Sequence, residues 1–167
     1  PLLAPSGELP AVPYHTLPSS VDDLIQLADR VHRTTRKTDD LVRARTAMIK
    51  ANRMEKANYA SEWRLARVAS VLAMHDEERG EKWAAEGRVA ALDAVKLKDD
   101  GVEGHLYLAT ATGFLIKHKP SKAEDLTQEV IGHAKRADAL DKSFEGGEPR
   151  RVLGAIYTYA PPWPSGV

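Results

Sequence analysis

From position 19 onward, apolar residues recur three and four places apart with charged residues between them, the pattern of helices that bury one face. Ser19 or Ser20, with Asp22 and Asp23 behind it, predicts a helix to about position 36 on Val21, Leu24, Ile25, Ala28 and Val31. Thr38 with Asp39 and Asp40 predicts a second through Leu41, Ala44, Met48 and Ala51. A third is expected over 59–75 on Trp63, Ala66, Ala69, Ser70 and Ala73. A fourth is expected from near Asp76, carrying Trp83, Gly87, Ala90, Ala91 and Ala94 and ended by Asp99-Asp100-Gly101. The fifth covers about 102–117 and is stopped by Pro120. The sixth covers 122–141 on Leu126, Val130, Ala134 and Ala137, capped by Ser121. Gly146-Gly147 breaks the chain, and a seventh helix runs from Pro149 to 159, ended by Pro161-Pro162.

The prolines agree with this division. Five of the 10 lie in the first 18 positions and four between 149 and 164, which leaves Pro120 alone in between. Proline is excluded from helix interiors, and no alternating Val/Ile/Thr run suggests a strand. The fold class is therefore all-α. Residues 1–18 read as a Pro-rich extended arm, either a free tail or, given Leu2, Leu3, Leu9, Val12, Tyr14 and Leu17, an arm laid along the protein or a partner. Residues 19–167 form the helical domain.

The helices repeat. Leu65-Ala66, Leu108-Ala109 and Leu153-Gly154 are 43 and 45 positions apart, each inside a matching apolar stretch. Ala51, Ala94 and Ala137 follow one another at 43, and Met54, Leu97 and Leu140 lie three places after them. A small residue beside a large one on each helix lets neighbouring backbones approach, as in tetratricopeptide (TPR) hairpins. The expectation is a TPR-like solenoid of about seven helices with a repeat of about 43 residues. It has a leading second helix at 39–54, full hairpins at 59–98 and 102–141, and a lone first helix at 148–160. A solenoid ending in half a hairpin leaves an apolar stripe open, so the domain is expected to continue or be capped beyond Val167.

Two segments carry a family likeness. Val102-Glu103-Gly104-His105-Leu106-Tyr107-Leu108-Ala109, ending at Gly113, resembles the "EGHYWLA…G" helix of TPR-like proteins related to the T component of TRAP transporters. The stretch from Phe144 through Gly146-Gly147, Pro149-Arg150-Arg151 and Leu153-Gly154 to Tyr157, then Ala160-Pro161-Pro162-Trp163-Pro164, is similar to the same family's "GG-P-R-LG-Y…APGWP" signature. Here Leu106 stands where an aromatic is more typical. The resemblance implies a helical solenoid, export to the periplasm, a lipid anchor upstream of Pro1, oligomer formation and association with a periplasmic solute-binding protein.

Composition narrows the classes. The 167 residues carry 24 basic and 24 acidic side chains, a balance unlike that of proteins that hold nucleic acid or an anionic membrane. No cysteine is present, which removes disulfides and thiolate chemistry. The longest nearly apolar run, 107–116, is half of what a membrane span of about 20 residues requires.

No catalytic constellation, cofactor motif or metal site stands out. The six histidines are scattered, and Glu129 with His133 is a single pair at i, i+4. The basic cluster Arg30, His32, Arg33, Arg36 and Lys37 reads as a solvated helix end. Trp63 and Trp83 read as core. His105, Tyr107, Arg150 and Arg151 fall near the starts of equivalent first helices, which line the concave face of a TPR stack. They are candidates for partner or ligand contact, or for bridges between hairpins through Glu103, Glu145 or Glu148. Tyr157 and Trp163 join the candidate contact residues. The expected function is non-catalytic protein–protein contact in the cell envelope. A structural subunit of a larger envelope complex and a carrier of a small apolar ligand are the alternatives.

Overall fold

The computed structural model describes residues 8–159, all helical apart from turns and the leading segment. Seven α-helices follow in order: α1 (Val21–Thr34), α2 (Thr38–Met54), α3 (Tyr59–His75), α4 (Gly80–Leu97), α5 (Val102–His118), α6 (Ala123–Leu140) and α7 (Phe144–Tyr159). No strand occurs among the described residues, and none of their helices is long and apolar enough to cross a membrane.

Local chemistry sets the helix ends. Ser20 caps α1 by accepting the Asp23 N–H, and Asn58 caps α3 by accepting that of Ser61. The expected start of α4 near Asp76 moves to Gly80, because the Asp76 carboxylate is drawn out of the helix. It accepts from the Arg79 N–H and from the Trp83 indole N–H at 3.0 Å. Thr38 begins α2 without capping it, and a 3-10 turn at Pro120–Lys122 takes the place of the expected Ser121 cap on α6. In α7 the break at Gly146-Gly147 is as expected: Glu145, Gly146 and Gly147 have φ of 46°, 71° and 91°, and Pro149 sits in the first regular turn beyond them.

Each helix packs on the next in sequence, and α1, α3, α5 and α7 also pack in succession on one another. The backbones of α2, α4 and α6 do not touch. The buried faces are those the spacing predicts: Leu24, Ala28 and Val31 on α1, and Trp63 and Trp83 within the core. Ala51, Ala94 and Ala137 are all fully buried, and each carbonyl accepts the N–H that closes its helix, from Glu55, Lys98 and Asp141. Helices α2, α4 and α6 end on Met54, Leu97 and Leu140, and α3 and α5 end 43 positions apart on His75 and His118. At Gly87 α4 comes close to both α3 and α5, since an added Cβ would lie 3.2 Å from the Ala69 Cβ and 3.3 Å from that of Ala111. A smaller apolar cluster, Ala109, Val130 and Ala134, lies beneath Ile116, Val152, Leu153 and Ile156 at the α7 end.

Residues 8–18 lie against α2. Leu17 is buried, and Leu9, Val12 and Tyr14 pack on the core. Cations of α2 hold the segment's carbonyls: Arg43 on Thr16, Arg45 on Pro10, and Lys50 on Tyr14 and Pro18. Arg53 lies over the Tyr14 ring. Positions 1–7 of the expected arm, and Trp163, fall outside the described residues.

Candidate functional site: a polar seam across the odd helices

The successive packing of α1, α3, α5 and α7 brings together polar side chains far apart in sequence. On α3, Trp63, Arg64 and Arg67 share one face by helical spacing. Both guanidinium groups reach across to Asp29 on α1, Arg64 at 2.9 and 3.0 Å and Arg67 at 2.6 Å. They also lie over the Trp63 ring, 4.0 and 4.9 Å from its centroid, where the aromatic face attracts cations.

Trp63 also meets α5. Its ring is parallel to that of Tyr107 within 4°, with centroids 5.9 Å apart. The Tyr107 hydroxyl then donates to Glu145 at the head of α7 at 2.8 Å, and Arg67 approaches the same carboxylate at 3.7 Å. One chain of contacts thus runs from Asp29 through Arg67, Trp63 and Tyr107 to Glu145, across all four odd helices.

Burial sets the electrostatics of this seam. It works to raise the Asp29 carboxyl, but hydrogen bonds and charge from Arg64 and Arg67 outweigh it and hold that carboxyl below the usual range. His32, one turn after Asp29, is pushed down to about 4, by burial first and then by the Arg67 charge, and is neutral near pH 7. Burial and the Glu145 charge push the Tyr107 phenol up, so it remains a donor. Two buried polar atoms, His32 Nδ1 and Arg67 Nε, have no hydrogen-bond partner.

The sequence candidates distribute unevenly around this seam. Tyr107 stands in its middle. Arg151 braces its α7 end, pairing with Glu148 and donating to the carbonyls of Gly146 (2.7 Å) and Glu145 (3.1 Å) in the left-handed turn. Arg150 points away, exposed, to Asp138 on α6 at 3.1 Å. His105 is buried against α6, where it meets His133, so two positions along α5 separate side chains serving different neighbours. Tyr157 is exposed on α7.

Asp29, Arg64 and Arg67 carry no sequence motif. Their partners lie 35 and 38 positions apart, so no local spacing signals them. Glu129 and His133, paired by spacing, are separately engaged by Arg88 and His105. No group of three or more His, Asp or Glu side chains suited to a metal ion occurs among the described residues. Trp63, Arg67 and Tyr107 are buried, so the seam's charged and aromatic groups are engaged with one another and fix the odd helices in place. No protein-family model matches this chain, and no curated protein matches it.

Proposed function

We propose that the protein is a non-catalytic, TPR-like helical-hairpin scaffold that binds a protein partner on the face shared by α1, α3, α5 and α7. The observation that carries this reading is the seam itself, in which Asp29, Arg67, Trp63, Tyr107 and Glu145 tie four successive odd helices into one rigid layer beneath that face. The 43-residue recurrence of helix ends and buried alanines supports the repeat reading. A surface held rigid before binding loses little entropy on association. The seam is filled by paired charged and polar side chains, which leaves no apolar lining there for a small molecule and places the carrier alternative second.

In its finer form the proposal follows the family likeness: an envelope protein whose partner is a periplasmic solute-binding protein. Arg151 and Tyr107, drawn from the two signature segments, meet at Glu145 at the α5–α7 end of the seam, and Tyr157 is exposed further along α7. The test places a photo-activated cross-linking residue at Tyr157, exposed on α7, and in a second protein at Val89, exposed on α4. The expected result is a solute-binding protein joined through position 157 and not through 89. Adducts through 89 alone would overturn the face assignment. A large unrelated complex captured through 157 would retain the scaffold and replace the transporter version.

A further inference from the structure

Away from the seam, His105 of α5 and His133 of α6 meet with Nδ1 atoms 2.8 Å apart, ring planes 24° from parallel and centroids 5.1 Å apart. His105 is buried, and its other nitrogen, Nε2, lies 2.8 Å from the Asp99 carbonyl oxygen. A carbonyl only accepts, so His105 Nε2 carries the proton and its Nδ1, in the neutral ring, accepts. His133 Nδ1 must then be the donor, which leaves the lone pair of His133 on Nε2. One added proton can settle on His133 Nε2 without disturbing this bond. A second has nowhere to go but His105 Nδ1, where it would set two N–H groups against each other.

Several charges around the pair already have partners. Arg88 of α4 holds Glu129 of α6 at 2.8 Å, and Arg136 of α6 approaches the Asp99 carboxylate at 3.7 Å. That carboxylate is itself 3.7 Å from His105 Nε2. Glu103 of α5 accepts from Tyr59 of α3, and on α7 Arg150 faces Asp138 while Arg151 faces Glu148. Asp99, largely exposed and shared with Arg136, is thus the acidic group nearest His105, and Glu129, bound by Arg88, is the one on the His133 side.

We propose that His105 and His133 form an acid-sensitive latch between α5 and α6, closed while at most one ring is charged and opened when both are. Burial, with the neighbouring His105, holds His133 below the ordinary histidine range, in the direction the latch requires. Helix α7 leans on both α5 and α6. Opening the latch therefore loosens the end of the stack and uncovers the Ala109, Val130 and Ala134 cluster.

The experiment compares unfolding of the whole protein in urea between pH 7.5 and 5 with that of His133→Asn, whose amide can donate to His105 but cannot titrate. His32 is common to both and cancels. The expected result is an extra loss in the unaltered protein, approaching about tenfold in the folding equilibrium per pH unit below about 6.5. Parallel profiles would overturn the latch. Should the variant fail to fold, ring nitrogen resonances of the unaltered protein decide. His105 is expected as the Nε2–H tautomer, with its protonation coinciding with loss of amide order in α5 and α6. Titration of both rings to the charged form with those amides unchanged would overturn the proposal.

Discussion

Arg45 of α2 grips Glu86 of α4 through two contacts of 2.6 Å, and 43 positions further on Arg88 and Glu129 repeat the grip between α4 and α6. The backbones of these helices do not touch, so the long guanidinium side chains span the gap. The series stops at both ends for visible reasons. Forty-three positions before Glu86 stands Arg43, which holds the Thr16 carbonyl instead, and 43 positions after Arg88 stands buried Ile131.

The two clamps differ in burial, and so they should differ in consequence. Arg45 is buried and also lies over the Trp83 ring, whereas the Arg88 and Glu129 side chains are each about a quarter exposed. Removing Glu86 strands a buried charge; removing Glu129 strands a solvated one. Glu86→Ala is expected to cost about 2–3 kcal/mol and Glu129→Ala about 0.5–1 kcal/mol. Urea unfolding of the two variants checks the order, and equal losses would contradict it.

The close approach at Gly87 makes a steric prediction. An alanine there gains about 1 kcal/mol of helix propensity, but its methyl would sit 3.2–3.3 Å from Ala69, Ala111 and the Ala66 carbonyl. Gly87→Ala should end between neutral and about 2 kcal/mol destabilising, because overpacking costs about 1–3 kcal/mol. Gly87→Val, with two further methyls and no room for them, should unfold α4 from its neighbours. Thermal melts of both proteins distinguish this from an exposed glycine, where both substitutions would be tolerated.

What could be read from the sequence was what depends on local spacing. The apolar period located all seven helices, and the 43-residue rhythm found Ala51, Ala94 and Ala137, which are buried alike because each faces its neighbour in the same way. Helix starts were harder. Asp76 looked like the head of α4, yet its carboxylate is held by Trp83, seven positions away, and the helix starts later. The seam was harder still, since Asp29 meets Arg64 and Arg67 only after α1 packs on α3. Likewise His133 was matched with Glu129 on its own helix, while its partner is His105, 28 positions back on α5. Tyr107 and Arg151 were named from a family likeness, but what they touch follows from three-dimensional packing alone.

His32 gives the seam a pH dependence with a definite sign. Its ring is held at about 4 in the folded protein against about 6.5 unfolded, so the unfolded chain takes up the proton first. The stabilisation is complete above about pH 6.5 and is lost as pH falls from there towards 4. With the ring partly exposed, the loss should amount to about 1–2 kcal/mol. Asp29, held below its ordinary range, adds a second loss only below about pH 4. Unfolding of His32→Gln across pH 7 to 4 should therefore show a flatter profile than the unaltered protein, with the steep fall below pH 4 retained.

The Tyr107–Glu145 bond tests whether the seam holds α7 in place. Tyr107→Phe removes the donor and keeps the ring on Trp63, so it should cost about 1 kcal/mol and speed amide exchange in α7 while leaving α3 protected. Glu145 adds a second effect, for its backbone has φ of 46°, a left-handed conformation that a non-glycine residue adopts at a cost. Glu145→Gly relieves about 1 kcal/mol of that strain while losing the acceptor for Tyr107 and the approach from Arg67. Global stability should hence change little, yet α7 should exchange as fast as in Tyr107→Phe. If Glu145→Gly left α7 as protected as in the unaltered protein, the turn and not the carboxylate would be what anchors the helix. If α7 exchanged faster in both variants, the seam would be its anchor, with Glu145 the side chain through which α5 and α3 hold it.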